Sequence, residues 1–82
     1  MVLSPQWEYM SVLVSTTLLG SSWVLHPYSV NGQELKNWKT LDLNIFLGQL
    51  GAEHWEMTGT ISVSRGEFSA EANYLFFKRI KP

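Results

Sequence analysis

An α+β fold with the order hairpin, helix, hairpin is what this sequence predicts, and three observations predict it. Residues at i, i+3, i+4 and i+7 form a single helical stripe in the middle of the chain. The segments on either side are rich in aromatic and β-branched residues, the side chains that suit a pleated surface. Asn31-Gly32 between two such runs is a strong short-range hairpin signal. The expected architecture is β-β-α-β-β, a four-stranded, mostly antiparallel sheet with one helix packed on one face.

The first strand is expected over Trp7 to Ser15, after a short lead through Gln6 that contains Pro5. Trp7, Tyr9 and Leu13 alternate with Met10, Val12 and Val14, so both faces carry apolar groups and the strand is central or covered on both sides. Gly20-Ser21-Ser22 closes a turn placed at Thr16 to Ser22. Trp23 to Val30 resumes the strand pattern with Pro27 inside it; a residue without an N–H places this strand at an edge or breaks it. Val30-Asn31-Gly32-Gln33 predicts a type I′ turn, because Asn and Gly tolerate positive φ, and a small hairpin ending near Leu35. Lys36 to Lys39, with Trp38, reads as a polar connector.

Leu43, Phe46, Leu47 and Leu50 make the helical stripe. Thr40 is the expected N-cap, Asp42 supplies first-turn negative charge, and Gly51 is placed where a left-handed residue ends a helix. Gly48, inside the helix, is expected to let a strand approach closely. The third strand is expected over Glu53 to Ser64. Trp55, Met57, Ile61 and Val63 lie on one side, with polar residues between them. Gly59 interrupts the apolar set and marks a bulge or the helix crossing. Arg65-Gly66-Glu67 is a loop tip, and Asn73 to Ile80 the fourth strand.

The 82 residues, read as a single domain over 1–82, bury roughly 60–65% of the surface that the unfolded chain exposes, so the core is thin. The chain has no cysteine, hence no disulfide and no thiolate metal site, which fits a reducing, cytoplasmic setting. Six Lys+Arg against seven Asp+Glu give a net charge of −1, and no overall positive field to neutralise a phosphate backbone. Tyr9 to Leu25 carries no charge, but Ser11, Ser15, Thr16, Thr17, Gly20, Ser21 and Ser22 interrupt it, so it does not read as a membrane span. The first Lys or Arg is Lys36, so no positive n-region of an export signal is expected.

Three segments carry a family resemblance. They are Gln6-Trp7-Glu8-Tyr9, then Leu47-Gly48-Gln49-Leu50-Gly51-Ala52-Glu53-His54-Trp55-Glu56-Met57, and finally Tyr74-Leu75-Phe76-Phe77-Lys78-Arg79. The chain resembles the bacterial domain of unknown function 4177 family, with its opening W-E-Y, central L-G-x-x-G-W-E and closing L-x-F-K-R. Where that pattern has Gly before the Trp, this chain has His54. The resemblance covers nearly the whole chain and implies no activity, cofactor or catalytic residue.

The chemistry-bearing residues point the same way. A zinc site takes three or four His, Cys or carboxylate ligands; His54 and Glu56 share a strand face but lack a third partner, and the expectation is no metal and no cofactor. Glu53 and Glu56 fall on opposite faces by parity and so make a poor acid–base pair. No Gly-x-Ser-x-Gly elbow or Gly-rich phosphate loop is present, and the chain is not expected to be an enzyme. The expected role is a small protein-interaction or assembly module. Its partner is expected to be itself, as a homodimer, or another protein, because one helix cannot cover the apolar residues of both sheet faces. Trp7, Tyr9, Tyr74 and Phe76 are the candidate interface. The alternative is nucleic-acid binding through the last strand, with Phe77, Lys78, Arg79 and Lys81 as the candidate patch. The alternative to dimerisation is that the Trp23–Trp38 segment folds back over the open face.

Overall fold

The computed structural model describes residues 5–65 and 70–81, and for 63–65 and 70–72 the backbone alone. Its elements are β1 (Trp7–Leu19), β2 (Ser22–Val30), β3 (Gln33–Glu34), a 3-10 turn (Trp38–Thr40), α1 (Leu43–Ala52), β4 (Glu56–Arg65) and β5 (Ala70–Ile80). The strands form one antiparallel sheet in the order β3-β2-β1-β5-β4, so the first and last long strands lie side by side in its middle. Trp7 pairs with Ile80 and the register runs unbroken to Val14 with Asn73. The predicted α+β class holds, with five strands in place of four. The expected loop at Gly66 and Glu67, and the side chain of Val63, lie outside the described residues.

The fifth strand grows from the Asn31-Gly32 turn. Both residues have positive φ, 50° and 84°, as a type I′ turn requires. Asn31 also bonds to β1: its N–H donates to the Ser11 carbonyl at 2.8 Å, and its Oδ1 accepts from the Ser11 N–H at 2.9 Å. So anchored, the chain turns back far enough to pair Gln33 with Val30 and Glu34 with Ser29. The Tyr28 hydroxyl donates to the Glu34 carboxylate across that pairing.

The first hairpin is longer than expected. No loop occupies Thr16 to Ser22: the ladder runs to Leu19 and Ser22, and the turn shrinks to Gly20-Ser21, with Gly20 at φ 63°. Thr16 and Thr17 are β-branched and pair readily with Leu25 and Val24, so the strand has no reason to stop at Ser15. Pro27 sits beside a bulge, where Leu13 pairs with Ser29 but Val14 pairs with Pro27, leaving Tyr28 as the extra residue. Beyond Val14 the ladder between β1 and β5 ends, so the tip of this hairpin projects as a two-stranded ribbon.

The core lies between one face of the sheet and α1. Met10, Val12, Val14 and Phe77 meet Leu50, with Leu43, Phe46 and Leu47 packed around them. This is the predicted stripe on β1 and β5. Both helix ends differ from expectation. Asp42, not Thr40, is the N-cap, its Oδ1 accepting from the Ile45 N–H at 3.0 Å, while the Thr40 hydroxyl donates to the Asn37 carbonyl. Gly51 stays helical, and His54, at φ 70°, is the left-handed residue that ends the helix. The His54 N–H donates to the Gly51 carbonyl and the Trp55 N–H to the Leu50 carbonyl, both at 3.0 Å. That double closure is a Schellman motif, and the Trp55 ring packs on the cluster containing Leu50, the apolar contact that accompanies it. No strand approaches Gly48, where an added Cβ meets nothing within 4 Å.

Because residues 53–55 serve the helix end, β4 starts at Glu56 rather than Glu53. A bulge at Thr58, at the Gly59 position flagged by the sequence, then breaks the expected alternation: Met57 pairs with Phe77, but Gly59 pairs with Phe76. Met57 therefore lies on the helix side and Ile61, opposite Tyr74, on the other.

Three substitutions test this arrangement by thermal or urea unfolding. Leu50→Ala removes a buried side chain and destabilises by about 2–5 kcal/mol. Gly48→Ala adds a methyl to open space on a helix and stabilises by about 1 kcal/mol. His54→Gly relieves a left-handed backbone and stabilises by about 1 kcal/mol; a loss of stability there would contradict the helix end described.

Candidate functional site

Cross-strand partners share a face of a sheet, and so do alternate residues of one strand. The register therefore sorts the side chains without ambiguity. On the face opposite the helix lie Trp7 and Tyr9 of β1, Tyr74, Phe76 and Lys78 of β5, and Glu56, Gly59 and Ile61 of β4. Direct contacts agree. The Tyr74 and Phe76 rings stack with centroids 6.3 Å apart and planes 15° apart, and Lys78 Nζ lies 4.4 Å from the Trp7 ring centre. On the helix face, Glu8 and Arg79 are ion-paired and the Ser62 hydroxyl donates to Asn73 Oδ1 at 2.6 Å.

One end of the open face is covered by the chain itself. Leu13, Ser29 and His26 are buried on this face at β1 and β2. Trp38 of the 3-10 turn lays its edge against His26, at 5.7 Å between centroids, and against Tyr28, at 5.0 Å. His26 Nδ1 bonds to the Leu41 carbonyl at 2.8 Å. A carbonyl only accepts, so Nδ1 carries the proton; Nε2 pairs with the Thr17 hydroxyl at 2.7 Å. His26, one of the two histidines in the sequence, thus holds the Trp38–Leu41 segment in place. The alternative of a fold-back by Trp23–Trp38 is corrected: most of that segment pairs within the sheet as β2 and β3, and only the piece from Trp38 to Leu41 covers the open face, at the β2 end.

The other end stays open. Tyr9 is 70% exposed, Trp7 40%, Ile61 55% and Ile80 56%, with Tyr74 and Phe76 half-buried between them. All four candidate interface residues are brought together on this face. Ile61, Gly59 and Glu56 join them, and the sequence did not place them there because the Thr58 bulge reverses the parity of β4. Any strand-period argument across a bulge fails in this way. The one available signal was Gly59 itself.

The candidate nucleic-acid patch is taken apart by the same alternation. Phe77 is 4% exposed and sits in the core, so it offers no ring for stacking. Arg79 points to the helix side, where it pairs with Glu8, donates to the Glu53 carbonyl at 2.8 Å and stacks 4.2 Å from the Trp55 ring centre. Lys78, Lys81 and part of Arg79 meet at the rim of a concavity of about 570 Å³ lined also by Trp7, His54, Glu56 and Ile80. His54 and Glu56 are not strand neighbours on one face, since His54 ends the helix. Among the described residues no group of three or more His, Cys, Asp or Glu is placed to hold a metal ion, and no helix is long and apolar enough to cross a membrane.

A second apolar group is exposed at the ribbon tip, where Leu18, Leu19, Trp23 and Leu25 surround the Gly20-Ser21 turn. It is remote in register from Trp7 and Tyr9, at the far end of β1.

Fold and surface together define a class: a single-helix antiparallel sheet protein with one covered face and one partly open apolar face. No family model, curated protein or solved structure matches this chain.

The assignment of faces is checked by a pair of substitutions unfolded in dilute protein. Tyr9→Ser, on the open surface, changes stability by less than about 0.5 kcal/mol. Phe77→Ala, one strand over in the core, costs about 3–5 kcal/mol. Equal effects would mean that the faces are assigned wrongly.

Proposed function

We propose that this chain is a non-catalytic interaction module that pairs with a second copy of itself through the sheet face opposite the helix. The observation that carries this reading is the size and composition of the open surface. With aromatic side chains of about 150–250 Å² each, Trp7, Tyr9, Ile61, Ile80, Tyr74 and Phe76 leave roughly 500 Å² of apolar area exposed. The largest apolar patch of a typical soluble monomer is itself about 300–600 Å², and such a patch often marks a functional contact. A standard interface buries about 800 Å² per partner, of which about 56–65% is apolar. The open surface is therefore the size of one half of an ordinary dimer contact. Two-fold pairing is the commonest arrangement of identical chains, which makes a second copy the first partner to test.

The non-catalytic part of the reading is supported by how the reactive side chains are engaged. Both ring nitrogens of His26 are engaged, Nδ1 by the Leu41 carbonyl and Nε2 by the Thr17 hydroxyl of β1, and Arg79 is committed to Glu8, the Glu53 carbonyl and Trp55. A cytoplasmic setting is supported by the absence of cysteine from the sequence. Likeness to the family of bacterial domains adds no activity to this reading.

Sedimentation velocity across the micromolar range tests it. The expected result is a mass that rises with concentration towards two chains, and a Tyr9→Asp variant that stays monomeric. A wild-type chain monomeric at all concentrations would refute the reading. A complex with single-stranded oligonucleotide that dissolves steeply with added salt would favour the nucleic-acid alternative instead.

A further inference from the structure

Gly59 follows the Thr58 bulge, and the space over it stays unfilled by its own chain. Its backbone is not in the left-handed region, which among the described glycines only Gly20 and Gly32 occupy. A Cβ built on it meets nothing within 4 Å. Glycine inside a strand weakens the strand and marks a bulge, a tight bend or a close approach by another molecule; here the bulge leaves room for such an approach. Gly59 is the register partner of Phe76, so the gap it leaves lies on the open face beside a protruding ring.

The same two strands carry a second pair of complements. Glu56 of β4 is the register partner of Lys78 of β5, one negative and one positive group at the same level of the sheet and on the same face. Ile61 and Tyr74 make a third such pair further along. A two-fold axis parallel to the strands and midway between β4 and β5 exchanges the members of every pair. It sets Phe76 of one copy over Gly59 of the other, Tyr74 over Ile61, and Glu56 opposite Lys78. Sheets stacked face to face keep their strand directions within about 30°, which this axis satisfies. Isologous contacts need a surface that is its own complement in shape and charge.

Resting on the dimer reading above, we propose that the second copy seats at the β4–β5 side of the open face. Phe76 fills the space over the partner's Gly59, and Glu56 pairs with the partner's Lys78. Gly59 and the Glu56–Lys78 pair thus set the orientation and specificity of a contact centred on Ile61, Tyr74 and Phe76, with Trp7 and Tyr9 of β1 flanking the partner's edge strand.

Sedimentation of the full chain tests the seating. Gly59→Leu is expected to leave the melting of dilute protein unchanged and to weaken dimerisation at least tenfold; unchanged dimerisation overturns the seating. A second test uses charge. Glu56→Lys and Lys78→Glu, each alone, are expected to remain monomeric at concentrations where wild type is dimeric. An equimolar mixture of the two is expected to form the heterodimer, because both cross-copy pairs are then restored. If wild type dimerises and the mixture does not, the seating is wrong and the dimer reading stands. If wild type does not dimerise, both fall.

Discussion

A helix of ten residues is about 15 Å long and 10–12 Å across, whereas five strands spaced about 4.8 Å apart make a sheet about 19 Å wide. That mismatch governs the rest of this molecule. The helix covers one face around Val12, Val14 and Phe77, and among the described residues no second α-helix covers the other. The chain answers in part with the Trp38–Leu41 segment, fastened over β2 through His26. The remainder of that face, from Trp7 to Ile61, is left to water or to a partner.

The thinness of the core explains where the local rules are bent. His54 accepts a left-handed backbone because its Schellman closure brings Trp55 back against Leu50, adding an aromatic to a core with few large side chains. Arg79 then lies over Trp55 and ties the helix end to β1 through Glu8, so the helix end, first strand and last strand are fastened together. Hydrogen bonds to charged groups are stronger than neutral ones, about 1.5–3 kcal/mol, and they matter most where apolar burial is small. The residues that look most reactive in the sequence are thus largely fold-holding groups.

Much of this was legible in the sequence, for reasons that can be named. The stripe Leu43, Phe46, Leu47 and Leu50 and the Asn31-Gly32 turn are local signals, and each of them places its element. The four aromatic interface candidates were legible as a set because β1 and β5 pair through an unbroken register from Trp7 to Val14. The helix ends were not. Asp42 competes with nearby Thr40, whose hydroxyl is taken by the Asn37 carbonyl, and His54 competes with Gly51, where the packing of Trp55 on Leu50 favours the later stop. The parity of β4 was hidden because one extra residue at Thr58 reverses every side chain after it, and periodicity alone does not reveal a bulge. Lys78 and Arg79 are adjacent in sequence and on opposite faces, so a basic cluster read along the chain is divided by the sheet and its members meet only at the rim of one concavity.

The central claim is that a second copy covers the open face and leaves the hairpin tip free. Oxidative footprinting of the aromatic side chains over a range of protein concentrations measures it most directly. The account predicts that Tyr74 and Phe76 become protected as concentration rises, while Trp23, at the ribbon tip, is labelled equally throughout. Labelling of Tyr74 and Phe76 that does not change with concentration would contradict it.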